Sequence, residues 1–266
     1  MIRVNNAKQV AKLVEELAPQ VLSGGVSLSE AGWQIALACV GWPYVFGAWG
    51  AECTVAERKK RYKAHPSHTT IKTACKAFDG GTCSGCKWYP DGERVRCFDC
   101  RGLTDWVLKQ IGFDLQGEGA TSQWNTAANW AQKGAVADGI PQGVLVCLFY
   151  EDKDSPKTMT HTGLYFNGET CECSNNVQHF KKANKKWTKW AVPACFAVEP
   201  QPEPGYAIVT GKRVALRKEP SKSAGIIMRI DTGEEVKMEP EPEKAWDYVS
   251  YKGKTGWMMR EFLQEG

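Results

Sequence analysis

Apolar positions over residues 4–22 recur every three or four: Val4, Ala7, Val10, Val14, Leu17 and Val21. That spacing predicts one stripe of an amphipathic helix. The following LSGGVSLSE reads as a turn, with Ser29 as the N-cap of a second helix through Val40. Gly41-Trp42-Pro43 stops it, and no period persists from there to about Arg96. Residues 99–111 predict a helix stopped by Gly112, and residues 122–132 another, rich in Trp and Ala. From Gly143 the pattern becomes strand-like: GVLVCLFY is a buried run, THTGLYFNG a second run ending in a turn, and ETCECS alternates. Helices first and strands second predict an α+β domain built on an antiparallel sheet.

Near Val198 the pattern changes again. EPQPEPG places three prolines in seven residues, a semi-rigid linker expected over 199–204. Beyond it YAIVT, RVALR, AGIIMRI, EEVKME, WDYVSY and KTGWMMREFL are short β-like segments separated by turns. They predict a small β-barrel over 205–266, after a first domain over 1–198.

Composition narrows the class. The 266 residues are 42% hydrophobic and 24% charged, which excludes a disordered chain, a collagen-like repeat and a coiled coil. The longest apolar runs, 35–40 and 144–150, fall short of the roughly 20 residues that span a bilayer, so no membrane span is expected. MIRVNNAKQVAKLVEEL has neither an apolar h-region nor a small-residue cleavage site. No signal peptide is therefore expected, and the expected location is the cytoplasm until the protein is released. The net charge of +4 does not point to a nucleic-acid partner. It is concentrated over residues 51–97, where ten Lys or Arg face five Asp or Glu, giving +5. ERKKRYK within this stretch reads as a solvated helix face or as a patch for a polyanion.

Eleven cysteines is a high and odd count. Thiols or metal ligation are expected in place of a disulfide framework. Cys100 falls at the start of a predicted helix, where backbone N–H groups favour a thiolate nucleophile. The run Cys83-x2-Cys86-x10-Cys97-x2-Cys100 also has zinc-ribbon spacing. A zinc-bound Cys100 could not attack a substrate. One resolution leaves Cys100 free and gives a structural zinc to Cys75, Cys83, Cys86 and Cys97; another is free thiols or a redox-labile disulfide. Catalysis itself calls for no cofactor. Cys39, Cys147, Cys171, Cys173 and Cys195 lie in apolar or alternating segments and read as core thiols.

Tyr44 in GWPYVFG, Cys100 in FDCRGLTDWVLKQIG, Ser122-Gln123 and His161 in HTGLYFNG together resemble the NlpC/P60 cysteine peptidases over about residues 30–195. These are papain-like enzymes that cut the peptide stems of bacterial cell walls. The resemblance implies Cys100 as nucleophile and His161 as general base and later acid. A group on the next strand orients the imidazole in that family, and aligning the turns puts Glu172 there, with Asn175 and His179 as alternatives. Tyr44 is expected to line the substrate groove and Asp99 to meet the amine end of a stem peptide. Arg101 stands where the family usually has Ser, and a guanidinium favours a carboxylate. Residues 51–97 form a cysteine-rich insertion of about 45 residues where the family has a short loop.

VALRKEPS, IDTGEEV and AWDYVSYKGKTGWMM resemble a bacterial SH3 domain through Leu216, Arg217, Gly233, Trp246, Gly256 and Trp257. Such domains dock onto peptidoglycan. The two resemblances imply a peptidoglycan hydrolase that cuts the γ-D-glutamyl–diamino acid bond, of phage or prophage endolysin type. Its partners would be peptidoglycan and anionic wall polymers. The alternatives are an N-acetylmuramoyl-L-alanine amidase of CHAP type, and a non-catalytic, zinc-stabilised wall-binding protein in which Cys100 is a ligand.

Overall fold

The computed structural model describes residues 5–184, 186–196, 205–238 and 245–265. The chain divides into two compact units, Met1–Ala197 and Val198–Gly266. The proline-rich stretch 199–204 and Val4 lie outside the described residues.

The first unit opens with α1 (Ala7–Leu22), capped by a reciprocal pair in which Asn6 and Gln9 side chains each accept the other's backbone N–H. Val10 and Leu17 of its apolar stripe are buried. In α2 (Leu28–Ala38) the cap is Ser27, two residues before the Ser29 expected from sequence, and Ser29 is buried in the first turn. The insertion begins with strand β1 (Trp49–Glu52) and α3 (Val55–Ala64), followed by the single turn α4 (Thr70–Thr73). It closes with β2 (Arg96–Phe98), which pairs antiparallel with β1. The α3 face carrying ERKKRYK is only partly solvated, because Arg58 is 1% exposed.

Then come α5 (Cys100–Gln110), α6 (Ala120–Asn125) and strands β3 (Trp130–Ala135), β4 (Val146–Glu151), β5 (Met159–Phe166), β6 (Glu169–Cys173), β7 (Val177–Phe180) and β8 (Lys189–Pro193). β3 to β8 form one antiparallel sheet in the order β3-β8-β4-β5-β6-β7. The helix expected over 122–132 thus ends at Asn125. The Asn129 side chain bonds the backbone of Gln116, and the Trp130 indole donates to the Gln123 carbonyl, so the chain turns and joins β8 instead. Tertiary pairing overrides local helix preference there.

Alternation along β4 explains the layers. Cys147 and Phe149 face the helices with Ile35, Phe98, Leu103, Val107 and Leu164. Val146 and Leu148 face the other side, packed with Trp187, Trp190 and Val192. The sheet is buried on both faces, and α5 crosses the inner one.

The second unit holds β9 (Tyr206–Val209), β10 (Val214–Arg217), β11 (Ile226–Ile230), β12 (Glu235–Met238), β13 (Trp246–Tyr251), β14 (Lys254–Met259) and β15 (Leu263–Glu265). They pair in the order β11-β10-β14-β13-β12-β9-β15 around Val209, Leu216, Val236, Val249 and Met258. Buried Asp247 takes a two-nitrogen grip from Arg260, at 2.8 to 3.1 Å.

Candidate active site

Cys100 is the first residue of α5. Asp99 caps the helix, its Oδ1 accepting from Gly102 N at 2.6 Å and its Oδ2 from Gly47 N at 3.0 Å. The cap ties the helix start to the segment before β1. Gly102 has a steric reason: a Cβ there would sit 2.1 Å from the Ala48 carbonyl oxygen. Only glycine lets α5 approach that backbone, which accounts for the glycine in the CRG run.

His161 lies on β5, half-buried, with Nε2 2.7 Å from Glu172 Oε2 on β6. Glu172 pairs in register with Gly163, two residues along β5 from His161. A Cβ on Gly163 would come within 3.0 Å of the Trp187 ring and the Glu172 Cβ. The His161 ring stacks on Trp187 at 5.4 Å and 16°. Lys186 also pairs with the same Glu172 oxygen. Burial pushes the Glu172 carboxyl up, but the hydrogen bonds and charges of His161 and Lys186 outweigh it and hold the group below its ordinary range. An ionised Glu172 accepts a hydrogen bond from Nε2–H, which leaves Nδ1 as the basic nitrogen of the neutral ring.

Cys100 and His161 come from elements that pack together. The backbone N–H groups of Thr162, next to His161, of Arg101 and of Cys100 itself favour the thiolate. Burial and the Asp99 charge outweigh these donors and push the thiol up to about 11. Burial and Asp99 thus oppose the helix N-terminus at this thiol, and proton removal falls to a base. Tyr44 sits close enough to Cys100, Asp99 and Cys173 that burial first, and their negative charge second, keep its phenol protonated far up the pH scale. It is a permanent hydrogen-bond donor near the sulfur.

Both Asp99 oxygens are engaged by backbone, though each keeps a lone pair, and burial pushes the carboxyl up despite those bonds. Arg101 turns along its own helix: Nε lies 2.9 Å from Asp105 Oδ2, without hydrogen-bond alignment, and the guanidinium covers Trp49 at 4.5 Å. Asp105 also accepts from buried Gln123. Of the two alternatives to Glu172, Asn175 presents its carbonyl to Tyr44 N, and His179 is paired with Glu169 at 2.5 Å. Neither touches His161. Sequence patterns carried no signal for Lys186 and Trp187, which sit in an irregular loop.

The four cysteines expected to share a metal are divided. Cys75, Cys83 and Cys86 line one cavity with Cys53. Cys97 does not line it; buried on β2, its thiol faces the Ala51 carbonyl at 3.4 Å and the Cys53 sulfur. Among the described residues, no three His, Cys, Asp or Glu side chains stand close enough to hold a metal ion. No helix among them is long and apolar enough to cross a membrane.

Residues 212–264 match the family model described as bacterial SH3 domain. They form a bacterial SH3 domain. The strands β10 to β15 make up that SH3 domain, and its Trp257 ring lies 5.0 Å from Tyr248. No curated protein matches the chain. Among solved structures, NlpC2 from Trichomonas vaginalis is similar with a TM-score of 0.37 and 18% identity, over 63% of this chain and 47% of that one. RipD from Mycobacterium tuberculosis, a non-catalytic NlpC/P60 domain protein adapted to peptidoglycan binding, is similar with 0.38 and 17%, over 63% and 98%. The chain thus spans less than half the length of NlpC2, and likenesses at these scores carry no argument on function. The site geometry and the SH3 domain carry it.

Proposed function

We propose that the protein is a peptidoglycan hydrolase: an NlpC/P60-like cysteine peptidase unit joined to an SH3 domain that docks on the wall. The observation that carries this reading is the shared commitment of one imidazole and one thiol. His161 on β5 gives Nε2 to Glu172, and Cys100 opens the helix α5 that packs on that strand.

In this mechanism the Cys100 thiol passes its proton to His161 Nδ1 as sulfur attacks the amide carbonyl carbon. The raised thiol makes this general-base transfer, concerted with attack, and not the work of a resting thiolate. The carbonyl oxygen becomes an oxyanion beside the Cys100 N–H and the Tyr44 phenol. The C–N bond breaks as imidazolium protonates the leaving amine. His161 then deprotonates a water that attacks the thioester carbonyl, and as the C–S bond breaks the imidazolium returns that proton to the Cys100 sulfur. Glu172 stabilises the imidazolium in both half-reactions. The finer reading is cleavage of the γ-D-glutamyl–diamino acid bond by a phage or prophage endolysin.

Mass spectrometry of fragments released from purified sacculi tests it. New termini at one stem-peptide bond, absent with Cys100→Ala, are the expected result. Release of the stem from muramic acid would identify the CHAP-type amidase instead. One observation favours a non-catalytic wall-binding protein, namely the resting thiol at about 11. Sacculus pelleting without release of fragments would establish that reading.

A further inference from the structure

Over residues 205–266 eleven Lys or Arg stand against ten Asp or Glu, so the SH3 unit is close to neutral. Those charges are sorted in space. One cavity mixes them, with Glu234 and Glu235 beside Lys237 and Lys252. Another, of about 260 Å³, has Lys212, Arg213, Arg217 and Arg229 in its wall and no Asp or Glu among the described residues. The ion pairs Lys252–Glu234 and Arg260–Asp247 involve none of these four cations, and no other described carboxylate pairs with them. A concave site lined by one sign of charge focuses its field on counter-ions.

Strand register builds that wall. Val214 and Leu216 of β10 are buried in the barrel, so Ala215 and Arg217 share the outward face. Ala215 stands opposite Arg229 of β11, and its small side chain lines the cavity beside the two guanidinia. Backbone carbonyls hold both groups in place: Arg217 Nη1 donates to Ala224 O at 2.7 Å, and Arg229 Nη1 to Arg213 O at 3.0 Å. Each bond fixes a guanidinium through one nitrogen and leaves its other N–H donors for a ligand. Trp246, Met259 and Phe262 add an apolar side to the same cavity.

We propose that this cavity binds a phosphodiester polyanion, the polyol-phosphate polymer of a cell wall. A guanidinium fork matches the two free oxygens of a phosphodiester. One isolated anionic group occupies one fork, whereas three guanidinia and an ammonium around a single cavity suit a chain that brings successive charges. The carbon skeleton between phosphates packs on the Trp246, Met259 and Phe262 side. The proposal rests on the reading that this domain docks on the wall, and not on hydrolysis by the first unit.

The test is pelleting of the full chain, carrying Cys100→Ala so that the wall stays intact, with sacculi that bear a polyol-phosphate polymer. The same sacculi stripped of it by hydrofluoric acid are the comparison. Stripping should weaken binding about tenfold or more, and added salt should weaken binding to the intact sacculi. Arg229→Gln should weaken binding to intact sacculi about tenfold and leave binding to stripped sacculi unchanged. Lys254→Gln removes the same charge at the far end of β14 and should change neither. Lys212→Gln, on an exposed side chain, replaces Arg229→Gln should that variant melt early. Equal binding to both kinds of sacculi overturns the proposal, as do cavity variants no weaker than Lys254→Gln. Equal weakening by Arg229→Gln on both kinds would assign the cavity to stem-peptide carboxylates and overturn it too. Titration with a soluble glycerol-phosphate oligomer separates this failure from failure of wall docking. Oligomer binding without pelleting supports the cavity and removes wall docking, whereas pelleting without oligomer binding keeps wall docking and overturns the cavity.

Discussion

Glu172 stands opposite Gly163 on the neighbouring strand, and the absent side chain at Gly163 is what lets its carboxylate lean along the sheet to His161. The HTG run is thus a device for placing a carboxylate on an imidazole, and it makes the pair sensitive to bulk. Gly163→Ala should cost about 1–3 kcal/mol through its clash with Trp187 and the Glu172 Cβ. It should also lower kcat. Thermal unfolding and sacculus digestion of the same sample check both.

Glu172→Gln keeps the shape and removes the charge. Its kcat should drop by roughly 10²-fold or more, with a smaller change in KM. The folded carboxyl lies below its ordinary 4.5. Its stabilising contribution is therefore present above the unfolded value and disappears as pH falls through the lower folded one. The acid limb of the stability curve should flatten in the variant.

With its thiol raised to about 11, Cys100 in a His161→Ala variant should react with iodoacetamide ever faster as pH rises toward that value. Asp99→Asn should shift the curve to lower pH, because the Asp99 charge is one of the two causes of the raise. Asp99→Ala should add a loss of about 1–2 kcal/mol from the missing helix cap. A Cys100 that alkylates with a flat profile from neutral pH in His161→Ala would contradict the buried-thiol account.

Asp105 gives a separate pH signature. Burial pushes its carboxyl from 3.8 up to about 7 despite Arg101 and Gln123. Between those values the folded protein binds more protons than the unfolded chain, so stability falls as pH rises from about 4 to about 7. Asp105→Asn should remove that slope, as read from Tm against pH.

Removing the half-exposed Arg260 side chain should destabilise the SH3 domain by about 1–3 kcal/mol, because it takes the charged hydrogen bonds from the Asp247 carboxylate. Arg260→Ala should lower the melting transition of that unit and weaken sacculus pelleting, while cleavage of a soluble stem peptide by the first unit stays unchanged.

Much of this was legible from residue order. The helix beginning at Cys100, the strand bearing His161 and the following CECS strand follow from periodicity and turn residues, and Glu172 fell to the third position only by aligning the turns with the family that the chain resembles. The hairpin of Trp49–Glu52 with Arg96–Phe98 was not legible, because its strands are short and far apart in sequence. β3 was hidden because Trp-Ala-Gln reads as helix until Asn129 and Trp130 find partners elsewhere. Nor could sequence show that burial and Asp99 outweigh the helix terminus at Cys100. Spacing suggested Cys97 beside Cys75, Cys83 and Cys86, whereas on β2 its thiol faces the Ala51 carbonyl and does not line their cavity.

Lys186 and Trp187 have an implication for how this site can change. One shares the carboxylate that holds the imidazole, and the other, itself buried, stacks on the ring, yet both belong to the connection between β7 and β8 and not to the sheet. Connections accept substitutions that strands reject. The acid–base temperament of His161 can therefore be retuned from a stretch that holds neither nucleophile nor base, leaving the reacting groups untouched.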